Sequence, residues 1–87
     1  MESYRLLIKT SARKELGVAL GKADRQRVVR RVEALADQPR PPGWEKLSGT
    51  GARYRLRQGR YRVVYEIDDA ARTVTVVKVG DRKDVYP

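Results

Sequence analysis

Residues 4 to 9 alternate Tyr4, Leu6 and Ile8 with Arg5, Leu7 and Lys9, which is the period of a strand. The period then becomes helical. Ala12, Leu16, Ala19 and Leu20 fall on one face, with Thr10 or Ser11 placed to cap the start and Gly21 to end it. Val28, Val32, Leu35 and Ala36 make a second stripe with Val29 at its edge, and Asp24 stands where it can cap that helix. Arg25, Arg27, Arg30 and Arg31 lie mostly off the stripe. Two helices joined by a short turn form a helical hairpin. Pro39, Pro41, Pro42 and Gly43 then break the pattern, marking a loop too short to be a domain linker, which Trp44 and Leu47 are expected to pin to the core.

From Arg53 onward the period is two. Tyr54 and Leu56 alternate with arginines, Gln58-Gly59 reads as a turn, and Tyr61, Val63, Tyr65 and Ile67 alternate in the next strand. Asp68 to Arg72 reads as a second turn, Thr73 to Val79 as a third strand rich in β-branched residues, and Gly80 closes it. The expected fold is therefore α+β: an N-terminal strand, a helical hairpin, then a three-stranded antiparallel meander, in the order β-α-α-β-β-β, as a single domain over residues 1–87. Both helices must bury their stripes, so they should cover one face of the sheet and leave the other free.

A turn at Gln58-Gly59 would set Arg57 opposite Arg60 and Arg55 opposite Arg62. Cross-strand partners share a face. Arg53, Arg55, Arg57, Arg60 and Arg62 then lie on one face, with Tyr54, Leu56, Tyr61, Val63 and Tyr65 on the other. Slipping by one residue would bury arginines among tyrosines, so the pattern itself selects the face.

Composition sharpens this. The chain carries 20 basic and 11 acidic residues, a net charge of +9. Fourteen of the basic residues are arginine, whose planar fork suits phosphates and carboxylates better than lysine does. On the strands only Glu66 follows the five arginines, so the cluster reads as uncompensated charge that awaits a polyanion. RNA is the favoured polyanion, since arginine grips its backbone and aromatic or guanidinium planes stack on unpaired bases. Arg82, Lys83 and Tyr86 follow the third strand and can fold over the same face.

The chain has no cysteine, hence neither disulfides nor thiolate metal sites, which fits a reducing cytoplasm. It has no long apolar run, which argues against secretion and membrane spanning. It has no histidine, so the imidazole pair often used to cleave RNA is missing. Neither a metal site nor a cofactor is expected: Asp68 and Asp69 read as turn residues bonding locally, and Asp81 and Asp84 as balancing Arg82 and Lys83. RNA can still be cut through its own 2′-hydroxyl if a protein aligns the attack and stabilises the phosphorane. Arginines do the second task. Tyr86 in a positive field is the better base candidate, because arginine stays protonated.

The stretches Lys46-Leu47-Ser48-Gly49, Tyr54-Arg55-Leu56-Arg57, Gly59-Arg60-Tyr61-Arg62-Val63-Val64-Tyr65 and Val79-Gly80-Asp81-Arg82-Lys83-Asp84-Val85-Tyr86 resemble the RelE/ParE toxin superfamily, and the strand and helical hairpin before them match its layout. The resemblance implies the toxin of a type II toxin–antitoxin system. For RelE-type members it implies ribosome-dependent, metal-independent cleavage of mRNA to a 2′,3′-cyclic phosphate and a 5′-hydroxyl, with inhibition of translation. It implies as partners the ribosome, mRNA and a RelB-like antitoxin with an acidic segment, and operator DNA only through the antitoxin complex. Arg62 matches the transition-state arginine, Arg82 the arginine that assists the leaving group, and Tyr86 the tyrosine that stacks on or orients a base. Arg55 and Arg57 stand where RelE proteins often carry two lysines, so they would clamp phosphate. Arg53, Arg60, Lys46 and Lys83 complete the expected RNA-binding set, with Lys46 in the loop before the sheet. ParE-type members share the fold but poison DNA gyrase, and generally lack these basic and tyrosine residues. A module that grips RNA or the ribosome without chemistry is the third function class.

Overall fold

The computed structural model describes residues 3–18, 20–47 and 53–81. Its elements are β1 (Arg5–Ile8), α1 (Thr10–Val18), α2 (Lys22–Ala34), β2 (Glu45–Lys46), β3 (Arg53–Gln58), β4 (Tyr61–Asp68) and β5 (Thr73–Asp81). They form the expected α+β fold with one added strand, because Glu45 and Lys46 pair with Arg55 and Tyr54 at the edge of the sheet rather than lying in a loop. The sheet order is β1-β5-β4-β3-β2. β1 runs parallel to β5, and the other neighbours are antiparallel.

Both helices lie on one face of this sheet. Ala12, Leu16, Leu20, Val28, Val32 and Leu35 pack against Tyr54, Leu56, Tyr61, Val63, Tyr65, Ile67, Val74, Val76 and Val79, with Val29 half-buried at the margin. Burying these apolar side chains is the dominant favourable term in folding. The helix ends differ from expectation. The Lys9 carbonyl accepts the Arg13 N–H at 2.9 Å, so Lys9, not Thr10 or Ser11, is the N-cap of α1. Gly21 is the N-cap of α2, with no side-chain cap bond. Asp24 lies in the first turn, where its charge favours the positive end of the helix, and it accepts the Tyr61 hydroxyl at 3.2 Å. Instead of a glycine cap, α1 has an arginine at its C-terminal end: Arg25 donates to the helix carbonyls of Leu16 at 2.9 Å and Gly17 at 3.1 Å, and to the carbonyl of Leu20, beyond the helix, at 3.2 Å. One side chain thus satisfies acceptors that a helix end leaves open and locks the hairpin.

The β3–β4 turn is Gly59-Arg60, one residue later than expected, with Gln58 opposite Tyr61, Arg57 opposite Arg62 and Arg55 opposite Val64. Gly59 has φ +60, and the first central position of such a hairpin turn favours glycine. The register moves by two residues, so the strand residues keep their predicted faces, while Arg60 passes from the strand into the turn.

Trp44 pins the 38–44 loop as expected, whereas Leu47, half-buried, is tied to β3 through its N–H bond to the Arg53 carbonyl at 3.0 Å. Trp44, 37% exposed, meets the Tyr54 ring edge-on with centroids 5.6 Å apart, and Tyr54 stacks on Tyr65 at 5.9 Å. The buried Tyr65 hydroxyl donates to the Pro39 carbonyl at 2.8 Å. Asp68 does bond locally, accepting the Ala71 N–H at 2.9 Å. Asp69 instead makes long-range contacts, accepting the Tyr4 hydroxyl at 2.6 Å and the Arg40 guanidinium at 2.9 Å.

Candidate functional site

The face away from the helices is ordered in rows across the strands. Arg57, Arg62 and Gly80 form one row. Glu45, Arg55, Val64 and Lys78 form the next, and Arg53, Glu66, Thr75 and Leu7 a third. Three of the five hairpin arginines predicted for this face sit in these rows as strand residues beside Arg62, and Arg60 occupies the turn above them. Lys46 pairs with Tyr54, whose side chain faces the helices, so strand alternation puts Lys46 on the other side from Glu45 and Arg55.

The charges are more balanced than the strand pattern suggests. Arg53 Nε bonds Glu66 Oε2 at 2.9 Å, Arg55 Nη2 lies 3.2 Å from Glu45 Oε2, and Arg60 donates to Asp81 Oδ2 at 2.9 and 2.6 Å. The hydrogen bond to Asp81, with its charge, makes Arg60 hold its proton more firmly. Asp81 therefore pairs with Arg60. Two of these acids come from outside the hairpin, Glu45 from β2 and Asp81 from the end of β5, and only the three-dimensional pairing brings them in. Arg57 is exposed and has no ion pair among the described residues.

Arg62 is the largest departure from a simple charged surface. It is 2% exposed although it lies opposite the helix layer, and Val64 beside it on the same face is buried too. Gly80 next to it in the row has no side chain to compete for that space. A shielded guanidinium flanked by an exposed one gives graded access to positive charge: Arg57 meets solvent, and Arg62 sits where water screens less. At the opposite end of the face a shallow hollow of about 530 Å³ is lined by Glu66, Ile67, Asp68, Asp69, Thr73 and Thr75, so the basic character is concentrated toward the hairpin tip.

Arg82, Lys83 and Tyr86 lie outside the described residues. Tyr61 and Tyr65 do not serve as ready bases. Burial, followed by the bond to Asp24, raises the Tyr61 hydroxyl above its usual range, and burial pushes Tyr65 up to about 12. Among the described residues no group of three or more Asp and Glu is arranged to hold a metal ion, and no helix is long and apolar enough to cross a membrane. Sequence reading missed Glu15, Arg25, Arg40 and Glu45, which act through contacts between separate elements and leave no periodic signal.

A family profile described as the ParE toxin of the type II toxin–antitoxin system parDE matches residues 6–86. The chain belongs to the RelE/ParE toxin superfamily. It is thus a type II toxin by family, and solved structures of RelE toxins share its fold. The archaeal RelE–RelB complex from Pyrococcus horikoshii has a chain 32% identical, with a TM-score of 0.81, covering 94% of this chain and 97% of that one. The toxin–antitoxin complex RelBE2 from Mycobacterium tuberculosis is similar at 28% identity and TM-score 0.80, covering 92% and 99%. The intact RelBE toxin–antitoxin complex of E. coli follows at 31% identity and TM-score 0.75, covering 90% and 95%. Among curated protein sequences no relative was found.

Proposed function

We propose that this RelE/ParE-superfamily chain is a ribosome-dependent mRNA endoribonuclease that arrests translation. The observation that carries the reading is the row of Arg57, Arg62 and Gly80 on the face that the helices leave uncovered. In the proposed reaction the RNA's own 2′-hydroxyl attacks the adjacent phosphorus, the 5′-oxygen leaves, and a 2′,3′-cyclic phosphate results. Negative charge grows on the phosphorane oxygens, and preorganised cations aimed at that charge lower the barrier. Arg62, shielded from water, is the main stabiliser, with Arg82 assisting the leaving oxygen. Arg55 and Arg57 hold the backbone. Tyr86 stacks on a base or moves the proton. Arg53, Arg55 and Arg60 already hold carboxylates at 2.9, 3.2 and 2.6 Å, the anions they would exchange for phosphate oxygens; Lys83 would add charge, whereas Lys46 is set apart on the other side of the sheet. No metal or cofactor enters this scheme.

The partner that restrains it is proposed to be a RelB-like antitoxin, because the Pyrococcus and E. coli relatives are seen in toxin–antitoxin complexes. An acidic, partly disordered segment folding over a chain of net charge +9 fits the electrostatics. Operator DNA would be met only through that complex.

A second reading, a gyrase poison without RNA chemistry, is favoured by one observation: the matching family profile is that of ParE. Mapping mRNA 5′ ends by primer extension after induction, with and without ribosomes, separates the two. Ribosome-dependent cuts within codons are expected. Intact mRNA together with cleaved DNA and an SOS response would replace the nuclease reading with the gyrase one.

A further inference from the structure

Past Ile8 the sheet loses a strand. Ile8 is the last residue of β1 to pair, opposite Val76, and the Lys9 N–H donates to the Val76 carbonyl at 2.9 Å. From Thr10 the chain is helical, so β1 gives no neighbour to the edge of β5 beyond Val76. A bare edge leaves backbone donors without ladder partners. Here α1 supplies one. Glu15 Oε1 accepts the Val79 N–H at 3.0 Å, and Glu15 Oε2 accepts Lys78 Nζ at 3.0 Å. The carboxylate stands in for the strand that is no longer there.

The same stretch is bulged. Val64 pairs with Lys78 while Tyr65 pairs with Val76, leaving Val77 as the extra residue on β5. A bulge bends its strand and increases the local twist, so the direction of Val79–Asp81 depends on what holds the strand just beyond it. β4 holds one side. Glu15 holds the other. Arg60 clamps the end through Asp81.

We propose that Glu15 is a positioning residue: by anchoring β5 past its bulge it fixes the direction in which β5 runs to Asp81, the residue that precedes Arg82 in the chain. Its catalytic meaning rests on the nuclease reading. Its structural meaning does not. Glu15 lies in the helix layer and touches none of the hairpin arginines, so it acts only through the backbone it holds. Misplacing reacting groups by about 1 Å costs on the order of 100-fold in rate. The bond that matters is to a backbone N–H, which a neutral amide oxygen accepts as well. The exposed Lys78 pairing adds little.

The test uses the full chain with Glu15→Ala and Glu15→Gln, read by ribosome-dependent mRNA cleavage, thermal midpoint and amide exchange at Val79. Glu15→Ala is expected to lower kcat about 10- to 100-fold at near-constant KM and to speed Val79 exchange about tenfold. Glu15→Gln is expected to restore both to within about threefold of wild type, since its amide oxygen keeps the acceptor. A folded Glu15→Ala with wild-type kcat overturns the positioning role, and so does a Gln variant as impaired as the Ala one. Should Glu15→Ala fail to fold, Glu15→Met keeps the stem and helix propensity for the same measurements. If wild-type protein cuts no RNA, the nuclease reading falls by itself, and the anchor is then judged on Val79 exchange alone: acceleration upholds it and unchanged exchange overturns it.

Discussion

Arg57 and Arg62 are direct partners across the β3–β4 pair, yet Arg57 is exposed and Arg62 is only 2% exposed. Substituting them should therefore separate two kinds of loss. Arg57→Ala should leave stability within about 0.5 kcal/mol of wild type while weakening RNA binding and lowering the salt slope by about one. Arg62→Ala should abolish cleavage and also cost about 1 to 3 kcal/mol, because it empties a buried site. Urea denaturation and a salt titration of RNA binding check both. Equal stability losses in the two variants would contradict the difference in burial.

Tyr65 links the core to the proline loop through its 2.8 Å bond to the Pro39 carbonyl. Tyr65→Phe should cost about 1 to 2 kcal/mol, the loss of one buried hydrogen bond with its acceptor stranded. Burial also pushes its pKa up to about 12, above the ordinary value near 10. The folded chain holds that proton more tightly than the unfolded chain, so the stability it gives is full below pH about 10 and is lost as pH rises toward about 12. The wild-type thermal midpoint should fall across that alkaline window, and Tyr65→Phe should fall less steeply.

Asp69 gathers Tyr4 and Arg40 onto the β4–β5 turn. Hydrogen bonds from Arg40 first and Tyr4 second hold its carboxyl below the usual carboxylate range. The sign is opposite to that of Tyr65. The stability from this group is present above its unfolded pKa and is lost as pH falls through the depressed folded value. A thermal-midpoint series on the acid side should show a limb that Asp69→Asn flattens. Identical acid limbs in both proteins would remove Asp69 from that role.

Arg25 bonds three backbone carbonyls at and just beyond the end of α1. Arg25→Ala should destabilise the protein by about 1 to 3 kcal/mol, read by chemical denaturation. Arg25→Lys should recover only part of this, because an ammonium lacks the planar fork that spans several acceptors. Full recovery with lysine would show that charge alone suffices.

The faces of the hairpin were legible because they depend only on odd and even positions. Placing the turn at Gln58-Gly59 missed by two residues of register, and parity still put Arg53, Arg55, Arg57 and Arg62 together. The turn itself was readable in principle, since Gly59 is the residue that tolerates φ +60. The charge balance was not readable. Glu45 reaches Arg55 from a two-residue strand, and Asp81 reaches Arg60 from 21 positions away, so neither shows in a local pattern. Helix ends were misread for a similar reason, because Arg25 caps α1 from the neighbouring helix and replaces the glycine cap that local sequence suggested. The burial of Arg62 was marked only by Val64, the apolar residue that breaks the alternation of β4 on the same face. Arg82, Lys83 and Tyr86 remain expectations drawn from sequence, as they fall outside the described residues.

The parallel pairing of β1 with β5 sets the order in which this molecule can be born. Arg5 meets Thr73 and Ile8 meets Val76, so the sheet cannot close until that segment has been synthesised. Until then the stripes of α1 and α2 lack Val74, Val76 and Val79, the part of the core that β5 provides. Contacts this distant along the chain make folding slow and late. The β3–β4 hairpin, with Arg53, Arg55, Arg57 and Arg62 on one face, can pair as soon as it is made, whereas the apolar layer beneath the helices is completed only when β5 docks beside β1.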